Sequence, residues 1–96
     1  MVLEIITPEA KIFHGEADAV QFPGKEGLFQ ILNGHAPIIS TLKEGEVKIS
    51  IPNSSKVIEG LNGKIVADKS NDKVLRLNVS GGVVEVQNNH VILLAD

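Results

Sequence analysis

The histidines His14, His35 and His90 have the widest chemical reach in this sequence, since each can ligate a metal or move a proton near neutral pH. A metal site on a small barrel needs two rings aimed from one strand face, as an H-x-H pair provides. No two of these histidines lie at that spacing, so turn or rim positions are favoured over ligation and no metal is expected. Serine, histidine and aspartate are all present, but no G-x-S-x-G elbow accompanies them. Asp18, Glu26 and Glu85 stand singly among apolar or turn residues and do not form paired catalytic carboxylates. Gly81-Gly82 precedes no helical pattern, so it lacks the N-terminal amides that cradle phosphate. There is no cysteine, which removes disulfides, thiolate nucleophiles and Cys-ligated zinc together. Neither a catalytic residue nor a cofactor is expected.

The elements that would hold these residues are strands. In "EVKISI", Val47, Ile49 and Ile51 alternate with Glu46, Lys48 and Ser50. Leu75, Leu77 and Val79 oppose Arg76, Asn78 and Ser80, and Val84 and Val86 oppose Glu85 and Gln87. A period of two marks half-buried strands. "VLEII" and "HVILLA" are more continuously apolar, which predicts strands covered on both faces. Turn signals punctuate the chain at Pro8, Gly15, Pro23-Gly24, Gly27, Asn33-Gly34, Gly45, Pro52-Asn53, Asn62-Gly63, Gly81-Gly82 and Asn88-Asn89. Asn-Gly pairs supply the positive φ of tight hairpin turns. No window of helical length carries an apolar stripe at helical spacing. The expectation is an all-β fold: an antiparallel β-sandwich of about ten short strands in two sheets.

The chain has 96 residues, 43% of them hydrophobic, with a net charge of −3. That suits one modest core, so residues 1–96 are expected to form a single domain. Mild acidity argues against nucleic acid and anionic membrane surfaces, and the absence of Trp and Tyr argues against a stacking platform. Glu4 and Pro8 interrupt the first apolar run, so no signal peptide is expected, and no run reaches the length of a membrane span. The segment Pro52 to Asp72 reads as an extra edge hairpin, with the polar "DKSNDK" as an exposed loop. Pro23-Gly24 and Gly27 predict a tight turn presenting Lys25, Glu26 and Leu28. Composition alone favours a solvated hairpin tip over a docking tip.

Four stretches carry a family resemblance: "LEIITPEAKIFHGEADAV", "PGKEGLFQILNGHAPII", "LKEGEVKI" and "SGGVVEVQNNHVILLAD". Together they resemble the epsilon subunit of F-type ATP synthases, whose pattern includes G-H-A-P and a terminal L-A-D. Gln30 and Asn33 depart from the usual Gly and Pro. The chain also carries no match to the two helices that follow L-A-D in longer members, so the braking and ATP binding of those helices are not transferred.

The resemblance implies a non-catalytic central-stalk subunit of a proton-translocating synthase, peripheral at the cytoplasmic face of the bacterial inner membrane, without direct membrane insertion. Its implied partners are the gamma subunit and the polar loops of the c-ring. Pro23, Gly24, Lys25, Glu26, Gly27 and Leu28 fall at the family's c-ring contact. His35, Ala36, Pro37 and Ile38 fall at its gamma contact, with Ser80, Gly81 and Gly82 as additions. The alternative from the fold alone is a free-standing β-sandwich module for a ligand or peptide. A metal-dependent barrel enzyme would need the three histidines to converge.

Overall fold

The computed structural model describes residues 1–52 and 64–96. Its ten strands are β1 (Val2–Ile6), β2 (Lys11–Glu16), β3 (Ala19–Gly24), β4 (Gly27–Leu32), β5 (Ile38–Leu42), β6 (Gly45–Ser50), β7 (Ile65–Ala67), β8 (Val74–Val79), β9 (Gly82–Gln87) and β10 (His90–Ala95). No helix occurs among the described residues. The strands follow one hydrogen-bonded path, β2-β1-β10-β9-β5-β3-β6-β8-β7, with β4 added on β3.

The path curls at β3. Along one edge this strand pairs with β6 through Ala19, Val20 and Gln21, then with β5 only at Gly24↔Leu42. That junction divides the strands into a first sheet, β2-β1-β10-β9-β5, and a second, β4-β3-β6-β8-β7. Pro23 lies at the corner, where it has no N–H to extend a ladder. Its carbonyl accepts from Lys43 N at 2.9 Å, tying the two sheets together.

Both inner faces feed one core. Leu3, Ile5, Val84, Val86, Val91 and Leu93 come from the first sheet, and Val20, Phe22, Ile31, Val47, Ile49 and Leu75 from the second. The rings of Phe22 and Phe29 stack at 5.5 Å between centroids. Each fully buried side chain of this size contributes about 1.5–3 kcal/mol.

The period-two reading holds for β6, β8 and β9, whose predicted inward residues are all buried. Two expectations change. The β1·β10 pair is parallel while every other described pairing is antiparallel, because β1 lies beside the last strand rather than beside its hairpin neighbour alone. The continuous apolar runs of β1 and β10 are covered on one face only: Leu3, Ile5, Val91 and Leu93 are buried, whereas Ile6 and Ile92 are half-buried and Leu94 is exposed.

Most of the expected turn signals fall at or beside turns, but Gly15 does not: it lies inside β2, paired with Leu3. Asn88 and Asn89, at φ 52° and 58°, make the two-residue β9–β10 hairpin, a left-handed conformation that Asn tolerates. Thr7-Pro8 opens the β1–β2 turn, with Thr7 N donating to the Ala10 carbonyl at 2.9 Å. Asn33-Gly34 does not make a hairpin. It carries the chain from β4 in the second sheet to β5 in the first, with Gly34 at φ 77°. Gly82 is required at its position, because a Cβ there would lie 2.4 Å from the Leu94 carbonyl oxygen. Of the expected edge hairpin, β7 is the edge strand beside β8. Asn53 and Asn62-Gly63 lie outside the described residues.

Candidate docking surfaces

The turns fall at two opposite ends of the sandwich. At one end, Lys25-Glu26 joins β3 to β4 as a two-residue turn, closed by the Gly24↔Gly27 pair. Lys25 N donates to the Thr41 carbonyl at 3.3 Å, which sets this turn beside Lys43-Glu44 of the β5–β6 connection. The β8–β9 turn, Ser80-Gly81, belongs to the same end because Gly82 pairs with Leu42. Lys25, Glu26, Gly27 and Leu28 are exposed, so four of the six expected tip residues face outward. Pro23 and Gly24 are buried and shape the tip from beneath.

His35, Ala36 and Pro37 lie at the other end. The Asn33-Gly34 turn is closed by His35 N donating to the Leu32 carbonyl at 3.2 Å. Asn33 Oδ1 also accepts from the Met1 ammonium, and Gly34 N donates to Asn89 Oδ1 at 2.8 Å. The His35 Nδ1 lies 2.7 Å from the Ala36 carbonyl. A carbonyl only accepts, so Nδ1 carries the proton and Nε2 is left for a partner. Pro37 keeps Ala36 out of the helical region, and both are exposed.

The expected gamma-contact residues are therefore not neighbours. Ile38 pairs with Val86 and Leu42 with Gly82, so His35–Pro37 and Ser80–Gly82 stand at opposite ends of the β5·β9 ladder. Gly81 and Gly82 are also buried, which leaves Ser80 as the exposed member.

Between those two groups runs an apolar strip that sequence reasoning missed. Ile39 is 72% exposed, Leu94 52% and Val83 39%, all on the outer face of the first sheet, with Ile92 and Ile6 half-buried among them. Register places Leu94 beside Val83 and Ile6, and Glu85 beside both Ile39 and Ile92. A shallow groove of about 430 Å³ runs along Pro37, Ile38, Ile39, Glu85, Val86 and Gln87. The signal was present in "VILLA" and in the doubled valine of "GVVEV". A run apolar at consecutive positions calls for two covers, and the described residues supply one.

Charges surround the strip. On β1, Glu4 accepts from Lys11 Nζ at 3.1 Å and lies 2.8 Å from His90 Nε2. These bonds, Lys11 first and His90 next, hold its carboxyl below the usual range. His14 is the cross-strand neighbour of Glu4, so His14 and His90 share this face while His35 lies at the end of the sandwich. Among the described residues, no three His, Asp or Glu side chains converge to hold a metal. No described helix is long and apolar enough to cross a membrane.

Inner-face alternation accounts for one cover, and the outer strip has none among the described residues, which puts the molecule in the class of β-sandwich modules with an exposed apolar face. The family defined by the β-sandwich domain of ATP synthase delta/epsilon chains matches residues 1–63. The ATP synthase epsilon chain of Chlorobium limicola is 38% identical over 94 residues, covering 98% of this chain and 86% of that one. That of Chlorobaculum tepidum is 37% identical over the same shares. The epsilon chain of Herminiimonas arsenicoxydans is 35% identical over all of this chain but only 56% of its own length. This chain belongs to the ATP synthase delta/epsilon family.

Solved structures agree on the fold. A chain in the central stalk/c-ring structure of the Tetrahymena thermophila mitochondrial ATP synthase superposes with a TM-score of 0.72 at 17% identity, over 99% of this chain and 62% of that one. A chain of the Euglena gracilis mitochondrial ATP synthase OSCP/F1/c-ring structure does so with a TM-score of 0.72 at 18% identity, over 99% and 49%.

Proposed function

We propose that residues 1–96 act as one non-catalytic rotor domain in the central stalk of an F-type ATP synthase, peripheral at the cytoplasmic face of the bacterial inner membrane. The outer face of the first sheet seats the gamma subunit, and the Lys25-Glu26 end rests on the polar loops of the c-ring. The observation that carries this reading is the uncovered strip of Ile39, Val83 and Leu94, with His35–Pro37 at one end and Ser80 at the other. A partner lying along β5 and β9 meets both separated groups at once, which explains why the expected gamma residues need not be adjacent. Membership of the ATP synthase delta/epsilon family supports another ATP synthase subunit as that partner.

A coupler that turns with the ring must transmit torque without bending. A close-packed core spanning both sheets supplies that stiffness, and no reaction is asked of the side chains. The Lys25-Glu26 and Lys43-Glu44 turns give the ring-facing end both signs of charge. Such exposed pairs contribute only about 0–1 kcal/mol each, so they orient the contact more than they hold it.

Binding to purified gamma tests the main contact. Ile39→Asp and Leu94→Asp each bury a charge in the contact and should weaken binding by about 30-fold or more, the scale of an interface hot spot. Ala36→Asp should weaken it less, from the end of the strip. Wild-type affinity in both Ile39→Asp and Leu94→Asp overturns the docking of gamma on this face. At the ring end, Glu26→Lys should loosen ring attachment by under about tenfold. Unchanged attachment and coupling would remove the tip from the contact.

A further inference from the structure

Four carboxylates sit within strands: Glu4 on β1, Glu16 on β2, Glu46 on β6 and Glu85 on β9. Three have a cation of their own. Glu4 is held by Lys11 and His90, Glu16 by the Met1 ammonium at 3.2 Å, and Glu46 by Arg76 at 2.5 Å. Glu85 makes no hydrogen bond or ion pair with any described residue, although it stands in the middle of a sheet. Its cross-strand neighbours are Ile39 on one side and Ile92 on the other, with Val83 and Gln87 flanking it along β9. Its carboxylate thus rises from the centre of the uncovered apolar strip, beside the groove at Pro37 and Ile39.

Such a group costs nothing while water reaches it. Once a partner covers the strip, the carboxylate loses that water, and a buried, unpaired charge is strongly unfavourable. A partner with only an apolar face is therefore rejected, and one that brings a cation to this point is accepted and set in register. The paired carboxylates elsewhere show how this chain satisfies strand glutamates that are to remain in water.

We propose that Glu85 is the specificity anchor of the docking face, and that gamma seats an arginine or lysine on it from within an otherwise apolar contact. This rests on the reading of that face as the gamma site and names the chemistry the site requires.

The test is the Kd for purified gamma, with Glu85→Gln, Glu85→Lys and Ile39→Asp compared with wild type. The isosteric Glu85→Gln should weaken binding by about tenfold and Glu85→Lys by about a hundredfold, the range for a charged hydrogen bond and its reversal. Raising the salt should weaken wild type more than Glu85→Gln, because only wild type has the ion pair to screen. A Lys or Arg to Glu change on gamma should restore binding to Glu85→Lys while harming wild type. Wild-type affinity for both Glu85 variants, with Ile39→Asp impaired, overturns the anchor and leaves the docking face standing. Equal salt dependence of wild type and Glu85→Gln overturns it as well. Wild-type affinity for all three variants overturns the docking face and the anchor together. If Glu85→Lys lowers the unfolding midpoint, the isosteric variant decides.

Discussion

The two outer faces of the sandwich obey the same alternation and carry opposite surfaces. Across the second sheet, register lines up Gln30, Gln21, Lys48 and Arg76. Arg76 donates to Asp68 Oδ1 at 2.7 Å as well as to Glu46, so the carboxylates Asp68 and Glu46 are paired within the chain. Its exposed apolar residues, Leu28 and Leu32 on β4 and Val66 on β7, are confined to strands at the sheet's edges. Across the first sheet the centre is apolar and the one central carboxylate is unpaired. Inner faces are decided by the core they share, whereas each outer face is decided by what it meets. The second sheet presents polar groups at its centre, and the first presents the apolar strip proposed above to seat gamma.

The comparison breaks first if the inner faces are not equivalent. Leu93 of β10 and Leu75 of β8 are both fully buried in one cluster, from opposite sheets. Leu93→Ala and Leu75→Ala should each lower the unfolding free energy by about 2–5 kcal/mol in a urea titration. A loss below about 1 kcal/mol for either would mean that its sheet does not share the core, and the contrast between outer faces would lose its common reference.

Next in size is the contrast between the outer faces themselves. Val66 is 61% exposed and Ile39 72%, so solvent treats them alike. Val66→Asp should leave gamma binding within about twofold of wild type, whereas Ile39→Asp should weaken it by about 30-fold. Equal effects would show that exposure of an apolar side chain, and not its place on the first sheet, governs the contact.

Much of this was legible in the residues. Strand phase in β6, β8 and β9 followed from a period of two, because a one-residue slip would send Glu46, Arg76 or Glu85 into the core. The Lys25-Glu26 turn followed from its flanking glycines. The parallel β1·β10 pair was not legible, since pairing between the two ends of a chain leaves no local signal. Nor was the role of Asn33-Gly34 as a passage between sheets, because a turn's sequence fixes its dihedrals and not its destination. The outer strip was half legible: "HVILLA" announced two covers, and the described residues supply one. The expected gamma residues were placed by resemblance alone, so their separation along β5 and β9 emerged only with the register.

The smallest effect sharpens the polar side of the comparison. If Asp68 and Glu46 need only Arg76 as their partner, removing that cation should disturb a titration and little else. Arg76 first, then the Ser70 hydroxyl and amide, hold the Asp68 carboxyl well below the usual carboxylate range. A carboxylate lowered in this way adds stability above its unfolded value of about 3.9 and loses it as the pH falls through the lower folded value. In Arg76→Gln the NMR titration midpoint of Asp68 should rise toward the ordinary value, and the stability difference from wild type should shrink as the pH is lowered from about 6 to about 2. Gamma binding should stay at the wild-type level, since the pair lies on the second sheet, away from the proposed docking face. An unmoved Asp68 midpoint would mean that Ser70 and not Arg76 holds the carboxylate. Weakened gamma binding would mean that both outer faces are docking surfaces, and the asymmetry between them would fall.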